Sequence, residues 1–213
     1  MKIAMVNGSP KAKDSASGEI LSMLKKYLCG EVAELRLNRM QVEKQDMEEL
    51  FTCDVIVIAF PLYIDSVPSH LLRCLMQIEA YAKAHRQERK IRVYVAVNNG
   101  FFQGKQNLPA IEVMKHWSDR CGFTFGRALG VGGGGMICFL RAVPEGHGPK
   151  KNLSAALKEM AEDMEQEKLN GDNQIKTFEM NYPAWAYKWQ AEYGWRRSAK
   201  KNGLKRKDLD KQW

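Results

Sequence analysis

Long apolar runs are missing from this 213-residue chain. No stretch approaches the roughly 20 apolar residues that a membrane-spanning helix requires, so no membrane span is expected. Histidine is scarce, and no His or Cys pair has the spacing of metal ligands, so no metal site is expected. The five cysteines (Cys29, Cys53, Cys74, Cys121 and Cys138) are scattered, odd in number and free of any CxxC pair. That pattern predicts buried free thiols in a reducing cytosol and not a disulfide framework. The opening Met1-Lys2, followed by the short run Ile3–Val6, is too brief for a secretory leader, and a cytoplasmic chain is the expectation. Internal repeats and low-complexity linkers are also lacking, which sets aside solenoids and disordered arms.

What is present is an ordinary soluble composition, 45% apolar and 27% charged, enough to bury one core with an extension to spare. The net charge of +8 is uneven. Residues 185–213 hold nine Lys/Arg against three acids, so +6 lies in the tail and only +2 in everything before it. Basicity is therefore a property of the tail.

Strand-like runs alternate with helix-period segments. Ile3–Val6 is the first run. Val32–Leu37 alternates, as a half-exposed edge strand does. Val55–Phe60 is continuously apolar, as a strand covered on both faces is. Ile91–Val97 is the fourth and Thr124–Val131 the fifth. Between them lie helical stripes: Ile20, Leu21, Leu24 and Leu28; Met47, Leu50 and Phe51 behind a capping Asp46; Leu71, Leu72, Leu75, Met76 and Ile78 behind Pro68; Ile111, Met114 and Trp117 closed by Gly122; and Leu153, Leu157, Met160 and Met164. Strict βαβ alternation predicts an α/β three-layer sandwich around a five-stranded parallel sheet. With the second strand at an edge, the order is 2-1-3-4-5. The ligand crevice then lies at the carboxyl ends of strands one and three. The loops that matter are residues 7–18, 61–69, 98–107 and 132–149.

The first of these, "NGSPKAKDSASG", offers Ser9, Ser15 and Ser17 as hydroxyl donors, Lys11 and Lys13 as charge, and Gly18 at a helix start. A helix N-terminus with unpaired N–H groups attracts an anion. No Gly-Lys-Ser/Thr closes the stretch and it is not GxGxxG, so a single terminal phosphate is indicated in place of a triphosphate or dinucleotide. A capped helix behind a polar turn is the bland alternative. A literal GxGxxG at Gly130–Gly135 follows the fifth strand and opens no good helix, so it reads as a glycine turn beside the crevice. "PLYIDSVPS" (Pro61–Ser69) is stiffened by two prolines and presents Leu62, Tyr63 and Ile64. "NNGFFQGKQN" (Asn98–Asn107) supplies the amides of Asn98 and Asn99, close approach at Gly100, and an aromatic wall at Phe101 or Phe102. Phosphate donors at one end and flat walls at the other match a phosphorylated heteroaromatic such as FMN.

At these residues the chain resembles the flavodoxin-like superfamily, and within it the NADPH-dependent FMN reductase and NAD(P)H oxidoreductase branch. Gly8–Ser17 is similar to that branch's phosphate loop. Pro61–Leu72 is similar to its isoalloxazine loop, and Asn98–Gln106 sits where the third flavin loop belongs. The resemblance covers roughly residues 1–165. It implies that Ser9, Lys11, Ser15, Ser17 and Gly18 hold the phosphate, that Pro61, Leu62, Tyr63 and Ile64 contact the ring, and that Asn98, Asn99, Gly100 and Phe101 close its other edge. The implied activity is electron transfer from NAD(P)H through FMN to a small acceptor: a quinone, a flavin or a nitro compound. No catalytic side chain is required, because the cofactor carries the chemistry. His70, His116 and His147 are candidates by residue type alone, with His147 nearest the crevice by topology. Lys11 stands where arginine is commoner, and Met40–Gln45 replaces a cysteine-rich insertion, which excludes the iron–sulfur members. Two rival readings remain: a flavodoxin-type electron carrier, against which the basic charge counts, and a flavin-free binding module on the same fold.

Residues 1–170 are thus expected to form the FMN-binding domain and 171–213 a helical extension, divided at Asn170–Asn173. In the extension Asn181 reads as a helix cap with Pro183 in the first turn. Tyr182, Trp185, Trp189 and Tyr193 form an aromatic stripe that requires a cover, either the chain's own domain or a second copy in a homodimer. The basic segment behind it reads as a solvated face or dimer clasp ahead of a nucleic-acid or anionic-membrane arm, because it holds no recognised binding motif.

Overall fold

The computed structural model describes residues 1–85, 89–166, 175–205 and 208. Six parallel strands make one sheet: β1 (Lys2–Asn7), β2 (Glu31–Arg36), β3 (Val55–Pro61), β4 (Arg92–Asn98), β5 (Thr124–Val131) and β6 (Ile175–Phe178). Their spatial order is β2-β1-β3-β4-β5-β6. The helices are α1 (Ala16–Lys25), α2 (Lys44–Thr52), α3 (Ser69–Ala84), α4 (Leu108–Cys121), α5 (Gly134–Ile137), α6 (Lys151–Glu165) and α7 (Ala184–Lys201). The expected order of five strands is present, and a sixth lies beyond β5. β6 escapes a sequence reading because it is four residues long and only half-buried throughout.

Period-two alternation divides the central strands between two cores. Ile56, Ile58 and Phe60 of β3 face one side with α2, α3 and α4. Val55, Val57 and Ala59 face the other, with α1 and α6. Burial on both faces is why β3 reads as an unbroken apolar run and β4 is buried along its whole length, whereas β2, at the edge, alternates. The chain leaves β1 for α1 on one face and leaves β3 for α3 on the other. The two strands pair side by side, with Asn7 opposite Ala59. Their departing loops therefore part and open a crevice.

Local signals are mostly where the sequence puts them. Gly122 ends α4 at φ 73°, a left-handed conformation that glycine adopts at little cost. Two caps are corrected. Glu43, not Asp46, stands at the N-cap of α2, and Asp46 lies in the first turn. Asn181 does not cap α7. Its amide donates to Gly148 O at 3.0 Å, and Pro183 occupies the N-cap position. The cysteines are free, but Cys29 is exposed and Cys138 half-buried, while Cys53, Cys74 and Cys121 are buried.

Compactness divides the chain into Met1–Asn181 and Tyr182–Trp213. The boundary expected at Asn170–Asn173 lies outside the described residues, and β6, which follows it, belongs to the sheet. The second unit contains α7, an 18-residue helix. Among the described residues, no helix is long and apolar enough to cross a membrane.

Candidate functional site

The crevice is built from Asn7, the last residue of β1. Its Oδ1 accepts from Ser9 N at 3.0 Å, and its Nδ2 donates to Ser15 Oγ at 3.2 Å. Ser15 also caps α1 by accepting from Gly18 N at 3.0 Å. Ser9 Oγ accepts from Lys11 N at 3.3 Å. Ser17 Oγ accepts from Asn98 Nδ2 at 2.9 Å, and the same amide donates to Phe60 O at 3.1 Å. Ser9, Ser15 and Ser17 are buried, and each hydroxyl is held as an acceptor. A hydroxyl has one proton to give, so all three keep theirs for a further acceptor. The N–H groups of Ala16 and Ser17, in the first turn of α1, have no partner among the described residues. The loop is fixed from below as well: Gly8 N donates to Ala59 O at 2.8 Å, and His70 Nε2 lies 3.2 Å from Gly8 O. This corner is rich in donors and poor in acceptors, which is the chemistry of an anion site.

The loop after β3 is a tight hairpin. Tyr63 and Ser66 exchange two backbone hydrogen bonds of 3.1 Å each. Ile64 and Asp65 between them have φ of 49° and 55°, the two positive values of a type I′ turn. Glycine or asparagine usually fills such positions, and a β-branched residue there is strained. Ile64 is also 99% exposed. Leu62 N donates to Asn98 O at 2.7 Å, tying this loop to the end of β4.

The loop after β4 is packed against backbone. Asn99 is buried, with Nδ2 donating to Gln103 O at 3.1 Å and Oδ1 without a partner among the described residues. A Cβ on Gly132 would lie 2.0 Å from Phe102 O, and one on Gly104 would lie 2.4 Å from both Gly130 O and Phe178 O. Only glycine fits at either place. From the fourth loop, Arg141 reaches Glu19 at 2.6 Å and Asp14 at 2.9 Å, clasping that loop to the first. These two acids, Glu19 foremost, hold its guanidinium above the ordinary range.

A cavity of about 180 Å³ lies among these loops. Ser9, Lys11, Ser15 and Ser17 line it from the first loop, Pro61, Leu62 and Tyr63 from the second, and Asn98, Asn99 and Gly100 from the third. Ala16, Gly134 and Gly135 complete the wall. Three expected residues fall elsewhere. Gly18 spends its N–H on Ser15, Ile64 projects to solvent at the hairpin tip, and Phe101 is 58% exposed outside the lining. His147 is exposed, with Nδ1 2.9 Å from Glu145 O of its own loop. Asn7 was not anticipated, although an asparagine at the last position of the first strand, beside Gly-Ser, could have signalled it. Gly134 and Gly135 belong to the glycine turn read as flanking the crevice, and here they form part of its wall. Lys11 and Tyr63 are the ionisable side chains in the described lining, which offers no carboxylate, imidazole or thiol for acid–base or nucleophilic work. The volume is below the 300–1,000 Å³ or so of a typical ligand pocket.

A larger open groove of about 1020 Å³ runs between residues 39–43 and α3. Several of its polar groups are engaged with one another. Arg39 meets Glu43 at 3.3 Å, and Gln77 bonds Met40 O, Arg73 O and Val42 N. It presents no donor cluster comparable to the serine corner, and it is a surface trough.

No protein-family model and no curated protein matches the sequence. Solved structures do. An NAD(P)H:quinone oxidoreductase from Methanothermobacter marburgensis superposes with a TM-score of 0.56 at 16% identity, covering 78% of this chain and 97% of that one. An NADH:FMN oxidoreductase in its apo form gives 0.57 at 10% identity, over 85% and 96%. A flavodoxin from Streptococcus pneumonia gives 0.54 at 12% identity, over 79% and 100%. At such identities the likeness establishes architecture alone. The chain has the flavodoxin-like fold, with a sixth strand at the far edge of its sheet.

Proposed function

We propose that this protein is an FMN-dependent NAD(P)H oxidoreductase of the FMN reductase type that reduces a small acceptor such as a quinone, a flavin or a nitro compound. The observation that carries this reading is the serine corner. Three buried hydroxyls with uncommitted protons and two unpaired helix N–H groups converge where a flavodoxin-like sheet opens its crevice. The residues present fit FMN at both ends. The phosphate finds donors in Ser9, Ser15, Ser17 and the start of α1, and Lys11 adds charge. The ring end finds Tyr63 and the stiff Pro61–Leu62 backbone. Asn99 Oδ1, buried and unpartnered, suits a ligand N–H.

When bound, FMN would supply hydride acceptance from the nicotinamide and electron delivery to the acceptor. The chain's own part is to bind and orient. Charge-assisted hydrogen bonds of about 1.5–3 kcal/mol each anchor the phosphate, and the anchored end fixes where the ring lies. The lining has no strong general base, consistent with chemistry that resides in a cofactor. A flavodoxin is among the similar structures, so the electron-carrier reading is the alternative to exclude. The test is an absorbance spectrum of the FMN-loaded protein near about 450 nm before and after NADH or NADPH. Bleaching by the nicotinamide alone, at catalytic rates with a quinone present, supports the oxidoreductase. Bound FMN that bleaches only with an added reductase supports the carrier. Failure to take up FMN overturns both.

A further inference from the structure

Helix α7 has no aliphatic side chain larger than alanine. Its bulk is Trp185, Tyr187, Trp189, Tyr193 and Trp195, and the three tryptophans are 75%, 65% and 74% exposed, with Tyr193 at 58%. At about 100° per residue, Trp185, Trp189 and Tyr193 share one stripe, and Arg196 and Lys200 continue it toward the C-terminal end. Five cations (Lys188, Arg196, Arg197, Lys200 and Lys201) stand against one acid, Glu192, which is paired with Arg196 at 3.0 Å. Among the described residues of Tyr182–Trp213, none covers the aromatic stripe.

Three occupants could cover it, and the chemistry favours one. A second copy joined by this face would oppose one strongly basic helix to another, since an isologous contact presents the same patch twice. Protein grooves that take a helix also read aliphatic or mixed anchors at i, i+3/i+4 and i+7, and α7 offers none that is aliphatic. Single-stranded nucleic acid needs open aromatic faces for its bases. Trp189 and Tyr193 turn a face to each other, with centroids 5.9 Å apart at 14°. A lipid surface asks for what α7 has. Indole and phenol rings settle at headgroup depth, and arginine and lysine complement anionic headgroups.

We propose that α7 is an interfacial helix that seats on an anionic lipid surface, with Trp185, Trp189 and Tyr193 at headgroup level and Arg196, Arg197, Lys200 and Lys201 on the anionic lipids. It lies on the surface and does not span. Nothing in the crevice bears on this assignment, so it stands or falls apart from the flavin reading.

The test sediments the full chain with vesicles of phosphatidylcholine alone and of phosphatidylcholine with about one-third phosphatidylglycerol, while tryptophan emission is recorded. The expected result is at least about tenfold stronger binding to the anionic vesicles, a blue shift on binding, and release at about 0.5 M salt. The variant Trp185→Ala/Trp189→Ala/Tyr193→Ala should lose at least about tenfold in binding. The variant Arg196→Gln/Arg197→Gln/Lys200→Gln/Lys201→Gln should lose the preference for anionic over neutral vesicles. All seven side chains are exposed, so neither variant disturbs a core. Wild-type protein that stays in the supernatant with both vesicles overturns the proposal. So does an aromatic variant that sediments like wild type, or a cation-depleted variant that keeps the preference. A dimer that the aromatic substitutions convert to monomer, without vesicle binding by either form, assigns the stripe to a second copy. Binding to a single-stranded oligonucleotide by a protein that stays in the supernatant with both vesicles assigns it to nucleic acid.

Discussion

The two walls of the crevice are built on opposite terms. On one side, Asn7 holds Ser9 N and Ser15 Oγ while Asn98 holds Ser17 Oγ, and Gly104 and Gly132 behind them are pressed against backbone. On the other, residues 63–66 turn on two backbone hydrogen bonds, carry Ile64 in a left-handed conformation and leave it almost fully exposed. The locked wall cannot change without loss, because each removed group orphans a partner or meets an atom that cannot move. The hairpin wall has strain to give back. On the function proposed above, a firm grip on the phosphate end of FMN and access for a second molecule at the ring end would both gain from that asymmetry.

The contrast can be broken or sharpened in four places. The largest effect is expected at Gly132→Ala, whose new Cβ would sit 2.0 Å from Phe102 O and 2.6 Å from Gly104 N. Both atoms are backbone, so the substitution should cost at least about 3 kcal/mol in urea unfolding or prevent accumulation of folded protein. A near-neutral result would mean that the locked wall is looser than drawn. Next is Ser17→Ala, which leaves Asn98 Nδ2 with Phe60 O alone and removes one donor from the anion corner. It should lower stability by about 1–2 kcal/mol and weaken FMN by at least about tenfold in a fluorescence-quenching titration, with riboflavin little changed. Equal weakening of both ligands would assign Ser17 a purely structural role.

On the hairpin wall the sign should reverse. Ile64→Gly relieves a left-handed β-branched residue, and the added unfolded-state freedom offsets part of the gain. A net stabilisation of up to about 1 kcal/mol, read as a rise in Tm, is expected, and a clear loss would show that the isoleucine makes a contact of value. The smallest effect lies away from both walls. Arg120 and Lys83 hold the Glu79 carboxylate down from 4.5 to about 2. A depressed folded value stabilises above the unfolded one and fades as pH falls. The advantage of wild type over Glu79→Gln should therefore be present above about pH 4.5 and vanish by about pH 2 in thermal melts across that range. A difference unchanged at the acid end would contradict it.

How far the sequence spoke follows from the same contrast. The unbroken apolar run in β3 announced a strand buried on both faces, and alternation in β2 announced an edge, so topology and crevice could be derived together. Serine spacing behind β1 pointed to a cluster of hydroxyls at the start of α1, and Ser9, Ser15 and Ser17 do converge there on the lining of one cavity. What stayed hidden depended on contacts between distant segments. Asn7 matters through Ser9 and Ser15, and β6 is a strand only because β5 supplies a partner for four unremarkable residues. The family resemblance implies a ring contact for Ile64 by position alone, and the residue stands at the exposed tip of the hairpin. Its positive φ, which turns it outward, leaves no trace in a residue that ordinarily avoids that conformation.

The claim on which the account turns is that the serine corner grips a phosphate. It is tested most directly by titrating the protein with FMN and with riboflavin, which has the same ring and no phosphate, under identical conditions. Three donors of the strength invoked predict that FMN binds at least about 100-fold more tightly. Equal affinity for the two, or no quenching by either, would contradict it.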